Sequence, residues 1–228
     1  MYILLGVIFL CVIIALAAVL PMCFMHPLTS GKVEDTNITA VKNRSNNLFF
    51  IPIGEKWMVV DAGSDMRSVK SQMERLAIDA KSVLYVFLTH TDYDHVASIP
   101  LFSNAVIYMS EYEKQMIDGS TYRQFIKKNK LPEGCETDKI SYLPDNRTVN
   151  LDGHSVRIIR VPGHTKGSAM YAVDEKYLFT GDAFKVDKGE ITVHPYTMDF
   201  RQARESIRRI KEECAKYEKV FTAHYGQL

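Results

Sequence analysis

Four potential metal ligands fall within six residues in His90-Thr91-Asp92-Tyr93-Asp94-His95, directly after the apolar run Val83 to Leu88. Imidazole nitrogen and carboxylate oxygen together suit zinc, iron or manganese. The arrangement recurs down the chain. Val161-Pro-Gly-His164, Phe179-Thr-Gly-Asp182 and Phe221-Thr-Ala-His224 each set a ligand type just past an apolar run, and Val60-Asp61 ends another run in a carboxylate. Any one of these would pass for a charged turn leaving a strand. Four together argue for strand ends that converge on one edge, where ligands and substrates bind. The set takes four of the seven histidines; His26, His154 and His194 lie outside it and read as surface or core residues.

The elements that must position these residues follow from apolar spacing. Val83 to Leu88 is short and almost wholly apolar, the pattern of a strand buried on both faces. Before it, Ile38 to Val41, Leu48 to Ile53 and Trp57 to Val60 are separated by turn residues and read as an antiparallel meander. A helix is expected from Ser64 or Met66 to Ile78, with Val69, Met73 and Leu76 on one face. His95 to Leu101 reads as a short helix, and Ala105 to Met109 as a strand followed by a helix start at Ser110-Glu-Tyr-Glu. Gly119 to Gly134 is polar and basic, a solvated surface helix and loop. Ile140 to Leu143 and Thr148 to Leu151 flank a turn, and Val156 to Val161 is a strand. Met170 to Val173 and Tyr177 to Thr180 form a hairpin, Phe200 to Tyr217 an amphipathic helix and Lys219 to Thr222 the last strand. Two blocks of strands, each with helices, predict two sheets with helices outside them. Gly163 and Gly181 stand beside ligands, where backbone must pass close to other groups.

In this order and spacing, His90-x-Asp92-x-Asp94-His95, Pro-Gly-His164-Thr-x-Gly-Ser, Gly-Asp182, Ala-His224-Tyr-Gly and Val-Asp61-Ala-Gly resemble the metallo-β-lactamase superfamily from about Asn37 to the end of the chain. The resemblance implies an α/β (α+β) domain, a four-layer αββα sandwich with a binuclear metal site on one edge. One ion would take His90, Asp92 and His164, the other Asp94, His95 and His224. Asp182 would bridge them with a water or hydroxide, and Asp61 would support the ligand loop from behind. The Asp182 bridge sets the chain nearer the glyoxalase II, lactonase and phosphodiesterase side of the superfamily than the true β-lactamases.

The usual motif is H-x-H-x-D-H, and Asp92 departs from it. Two divalent ions, three aspartates and one hydroxide then sum to zero charge, so bound water is acidified less and harder ions such as iron or manganese gain on zinc. The expected function is a hydrolase that cleaves an ester, thioester, lactone or phosphodiester with two divalent ions, zinc first, and with Asp94 orienting the nucleophile. The alternative is a diiron protein like the flavodiiron branch, which carries a carboxylate at this position and handles dioxygen or nitric oxide. A metal-poor binding module is the third reading. The substrate is a small molecule of unassigned identity and its contacts are unassigned; Lys185, His194, Tyr196 and Tyr225 are candidates, each read first as an ordinary loop residue.

A net charge of +1, with both signs spread throughout, offers no basic field for nucleic acid. Tyr2 to Met25 carries no charged residue, and Ile3 to Leu20 is nearly all aliphatic. The expectation is an uncleaved single-pass anchor over residues 1–25, a linker over 26–36 and the domain over 37–228. Ala15-Leu16-Ala17 offers the competing reading of a cleaved signal peptide. Lys32, Lys42 and Arg44 follow the apolar run, so the charge rule leans to a membrane protein with a cytoplasmic domain. Cys135 and Cys214 form no framework and read as idle thiols. Asn37, Asn43 and Asn146 begin glycosylation patterns short enough to arise by chance.

Overall fold

Strand β5 (Val83–Leu88) lies inside a seven-stranded sheet with a parallel neighbour on each side, β4 (Lys56–Val60) and β6 (Val106–Ser110). This computed structural model describes residues 7–13, 16, 20–123 and 129–228. The sheet runs β1 (Gly31–Lys32), β2 (Thr39–Asn43), β3 (Asn46–Ile53), β4, β5, β6 and β7 (Ile140–Leu143). Its first four strands are antiparallel, and β2 to β4 are the meander expected from the turn spacing. Within the residues read as a linker, Gly31 and Lys32 pair with Ala40 and Thr39, so chain ahead of the meander already belongs to the sheet.

The second sheet has the order β14 (Lys219–Phe221), β11 (Tyr177–Phe179), β10 (Ala169–Val173), β9 (His154–Arg160) and β8 (Thr148–Leu151). The turn at Pro144 to Arg147, expected between neighbouring strands, instead carries the chain from one sheet to the other. Asp145 fixes the crossing: it accepts from the Arg160 amide (2.8 Å) and from both terminal nitrogens of Arg209 (2.8 and 3.0 Å).

The two sheets face each other across an aromatic core. Phe49 from the first packs on Phe179 and Phe221 from the second, at ring distances of 5.3 and 5.1 Å. Phe87 of β5 points into this layer and packs on Tyr171, whereas Val83, Val86 and Leu88 point the other way. Both faces of β5 are therefore covered, as its composition requires. On the far side of the first sheet lies α1 (Met66–Arg75), which starts at Asp65, where the side chain accepts from the Ser68 amide, and buries Val69 and Met73. Two short helices follow, α2 (Tyr93–Val96) and α3 (Lys114–Asp118). The outer face of the second sheet is covered by α4 (Phe200–Cys214), whose Ile210 packs with Ile159, Met170, Leu178 and Val220. The two long helices, α1 and α4, are amphipathic and each sheet is apolar on two faces, so the stable solution is four layers, αββα. Burial pushes the Cys214 thiol up to about 12, which keeps it inert as expected.

The membrane assignment is corrected. The expected span falls partly on residues 1–6, 14–15 and 17–19, which lie outside the described residues. Among the described residues no helix is long and apolar enough to cross a membrane. Residues 7–13 are helical, but Leu20–Phe24 is a 3₁₀ turn containing Pro21, and the His26 amide then donates to the His224 carbonyl (2.8 Å). Apolar composition alone predicts a span, whereas the end of the apolar run folds back on the domain. There Leu20, Cys23 and Phe24 line a cavity of about 590 Å³ with Val186, Pro195 and Tyr225. The membrane partner, the single-pass anchor and the cytoplasmic lean are set aside with it.

Candidate metal centre

The expected strand ends meet on one edge. After β5 the chain turns through Thr89, His90 and Thr91 into α2, which carries Asp94 and His95. After β9 comes His164, after β11 Asp182 and after β14 His224, so both sheets contribute. Tyr171 ties the sheets beside the site by donating its buried hydroxyl to the Leu88 carbonyl (2.9 Å). Gly163 and Gly181 are needed for close approach. A Cβ on Gly163 (φ +143°) would sit 2.4 Å from the Ala203 Cα of α4, and one on Gly181 (φ +52°) 2.3 Å from the Thr89 hydroxyl. Gly163→Ala is expected to cost about 3 kcal/mol or more through overpacking and backbone strain. A denaturant midpoint within error of the parent chain would contradict that packing.

Asp182 sits at the centre. Its Oδ2 lies 3.9 Å from His90 Nε2, 3.5 Å from His164 Nε2 and 3.8 Å from His194 Nε2. Its Oδ1 lies 3.5 Å from His95 Nε2 and 3.2 Å from His224 Nε2. Asp92 Oδ2 faces His90 and His164 (3.6 and 3.2 Å), and Asp94 Oδ2 faces His95 and His224 (3.6 and 3.4 Å). Three sets close enough to hold an ion overlap here with a fourth: His90, Asp92 and His164; Asp94, His95 and His224; His90, His95 and Asp182; and His164, Asp182 and His194. All seven residues expected as ligands are thus brought together. The five histidines and Asp182 are buried, whereas the Asp94 side chain is 37% exposed.

The donor set fits divalent cations. His95 Nε2, Asp182 Oδ1 and both nitrogens of His194 are buried with no hydrogen-bond partner, a costly state for polar atoms that share one centre. The pocket also draws positive charge. Burial pushes His224 down, yet the Asp182 charge outweighs it and carries the imidazole up to about 10. Burial likewise opposes ionisation of Asp94, but His95 and His224 hold its carboxyl at about 2. Burial first, then the neighbouring imidazoles, takes His164 to about 4 and His194 to about 3 against the pull of the aspartates, leaving both neutral, the form that binds metal.

Asp61, expected behind the ligand loop, stands there in a left-handed backbone conformation (φ +61°). Its Oδ2 accepts a hydrogen bond from His95 Nδ1 (2.8 Å), and its oxygens also accept from the Thr89 amide and hydroxyl. Thr89 Oγ1 in turn lies 3.0 Å from His90 Nδ1, so one carboxylate orients two imidazoles with Nε2 inward. His224 Nδ1 donates to the Ser45 carbonyl (2.7 Å) with the same result. Asp61→Asn is expected to weaken metal binding by about 10–100-fold, because the tautomer of His95 is no longer held. Competition with a calibrated chelator reads this; an unchanged affinity would contradict it.

Three residues in or behind the site were missed by sequence reasoning. Glu113, expected as a capping residue, turns inward. Its Oε1 accepts from the Thr91 amide (2.8 Å) and hydroxyl (2.7 Å), and its Oε2 from the Thr165 hydroxyl (2.7 Å) and the Gly167 amide (3.1 Å). It thereby clamps the loop of His90 and Asp92 to the loop of His164. Arg123, expected on a solvated face, reaches Asp92 Oδ2 (2.5 Å) and comes within 3.1 Å of His164 Nε2. His194, read as an ordinary histidine with a possible substrate contact, is fully buried beside Asp182. It follows the hairpin of β12 (Lys185–Asp187) and β13 (Glu190–Thr192), in a stretch read as one loop. Lys185 pairs with Asp187 (3.1 Å), and the rings of Tyr196 and Tyr225 lie 5.8 and 6.0 Å from that of His194. His154 bonds Asp174 (2.7 Å), away from the centre.

A family profile described as the metallo-beta-lactamase superfamily matches residues 41–224, which includes every residue of this centre. The chain belongs to the metallo-beta-lactamase superfamily. Among curated superfamily members, it is 24% identical over 210 residues to a metallo-beta-lactamase fold-containing protein of Sulfurisphaera tokodaii, covering 83% of this chain and 74% of that one. It is 25% identical over 192 residues to a hydroxyacylglutathione hydrolase of Glaesserella parasuis, covering 82% and 69%. Its match spans about half (49%) of a probable metallo-hydrolase of Mycobacterium tuberculosis. Among solved structures, a Cronobacter sakazakii metallo-beta-lactamase with a HARLDQ motif superposes with a TM-score of 0.67 at 19% identity, covering 90% of this chain and 81% of that one. At that identity the likeness concerns the superfamily fold.

Proposed function

We propose that this domain is a metal-dependent hydrolase that cleaves an ester, thioester, lactone or phosphodiester bond in a small molecule. The observation that carries the reading is Asp182, whose two carboxylate oxygens face separate clusters of imidazole and carboxylate. His90, Asp92 and His164 form one cluster and Asp94, His95 and His224 the other. Superfamily relatives named as hydrolases support the reaction class.

Two divalent ions bound there, zinc first and iron or manganese next, would supply Lewis acidity and an activated water. The chain's own residues do the rest. The buried imidazoles present Nε2 from fixed positions, so little reorganisation is needed when charge develops. Asp94 is the most exposed of the three carboxylates and is ionised, so it orients the attacking water as a hydrogen-bond acceptor. Its backbone is fixed as well, because Asn46 Nδ2 donates to the Asp94 carbonyl.

The test is hydrolysis of a panel of thioesters, lactones and phosphodiesters by the full chain as purified, after chelation and after metal is restored. Turnover that falls on chelation and returns with zinc is expected. Two irons per chain, a visible band that responds to dioxygen or nitric oxide, and no hydrolysis would overturn the reading.

A further inference from the structure

We propose that His194 is a metal-binding residue of this centre, completing the position of His90, His164 and Asp182, and that Asp92 is instead the anchor of Arg123. The proposal rests on the binuclear reading above and revises which residues serve it.

Asp92 is already engaged on both oxygens. Arg123 Nη2 lies 2.5 Å from Oδ2, Arg123 Nε 3.3 Å from Oδ1, and the Asn129 amide 3.0 Å from Oδ1. Arg123 is held from the other side by donating to the Tyr196 carbonyl. A carboxylate gripped in two places by a guanidinium has its charge neutralised and its lone pairs used. It is a poor donor to a second cation.

His194 is the converse. It is fully buried, and neither ring nitrogen has a hydrogen-bond partner. Its ring stands edge-on to His164 (4.9 Å between centroids), and its Nε2 faces the same Asp182 oxygen as His90 and His164. Donors bound tetrahedrally to zinc at about 2.0–2.1 Å lie roughly 3.3–3.4 Å from one another. The observed separations are 3.2 Å for His90 to His164 and 3.5, 3.8 and 3.9 Å to Asp182 Oδ2, close to that spacing before any ion draws them in. The usual His-x-His pair supplies a third neutral nitrogen at this position. Here Asp92 has replaced the second histidine, and His194 brings a nitrogen back from another element. With Asp92 neutralised by Arg123, the centre regains the net positive charge that the aspartate would have removed, which favours zinc and acidifies bound water.

The experiment uses the full chain, stripped with chelator and titrated with Zn²⁺, and with Co²⁺ as a spectroscopic probe. Melting of the stripped proteins checks that each variant folds. His194→Ala is expected to weaken one of the two ions by at least about 100-fold, leave the other within about threefold, and change the Co²⁺ absorption of the weakened site. Added imidazole, which can refill the vacated position, is expected to restore much of that affinity; a packing role would not respond. Asp92→Asn is expected to retain both ions. Wild-type affinity in His194→Ala, no rescue by imidazole, or loss of an ion in Asp92→Asn would overturn the proposal. The hydrolase reading fails separately: two ions that depend on His194, without hydrolysis of any panel substrate, would sink that reading and leave this one standing.

Discussion

An Asp182→Asn chain is expected to hold at most one metal ion tightly and to lose on the order of 10²–10³-fold in turnover. That loss corresponds to the several kcal/mol of charge stabilisation a second ion supplies. The substitution keeps shape and volume but removes the charge that faces five imidazoles, two through Oδ1 and three through Oδ2. An amide offers one oxygen, so it can serve one cluster and not both. The fold is expected to survive, because the strand end at Asp182 is set by the Thr180 amide on the Phe221 carbonyl (2.9 Å) and by Gly181, not by the carboxylate. Metal content and far-ultraviolet circular dichroism measured on the same sample check both halves. Two tightly held ions in this variant would show that the carboxylate does not join the clusters.

The second large effect is expected from Glu113→Gln. Each Glu113 oxygen receives one backbone amide and one hydroxyl. The two threonine hydroxyls can rotate to accept from a glutamine amide, but the amides of Thr91 and Gly167 cannot. Whichever way the new side chain turns, one backbone N–H meets another N–H in a buried place. Burial opposes the Glu113 anion and pushes its carboxyl above the ordinary value, so neutralisation recovers part of that cost. The geometric loss is larger: a hydrogen bond to a charged acceptor and an orphaned buried donor together are worth about 2–4 kcal/mol. Against a total stability of about 5–15 kcal/mol, that is a visible fall in denaturant midpoint. The two loops it joins carry His90, Asp92 and His164, so metal affinity is expected to drop about 10–100-fold as well. A variant that melts and binds metal like the parent would remove Glu113 from the account.

The expected ligands were legible because His90, His164, Asp182 and His224 come within four residues of the end of a buried strand, and Asp92, Asp94 and His95 continue the turn after β5. An apolar run that stops at a histidine or aspartate marks both the element and its end, and the sheet edge collects those ends. Asp61 was legible for the same reason. Glu113 was not, since Ser110-Glu-Tyr-Glu describes a helix start equally well and its true partners lie 22 to 54 residues away. Arg123 stands in a basic stretch that reads as solvated face, and only tertiary structure turns it toward Asp92. His194 carries no signal beyond being a lone histidine before a proline, because its neighbours at the centre come from other strands. The membrane anchor failed for a related reason. A hydropathy window reads composition, and it does not see that Leu20–Phe24 turns and that the following residues hydrogen-bond to the domain beside His224.

The most direct test of the binuclear centre is the metal content of the full chain, purified without added metal and measured against amino-acid analysis. About two ions per chain are expected, predominantly zinc, with chelation removing both and restored zinc returning both. Near-zero metal that zinc, iron and manganese all fail to restore would contradict the account.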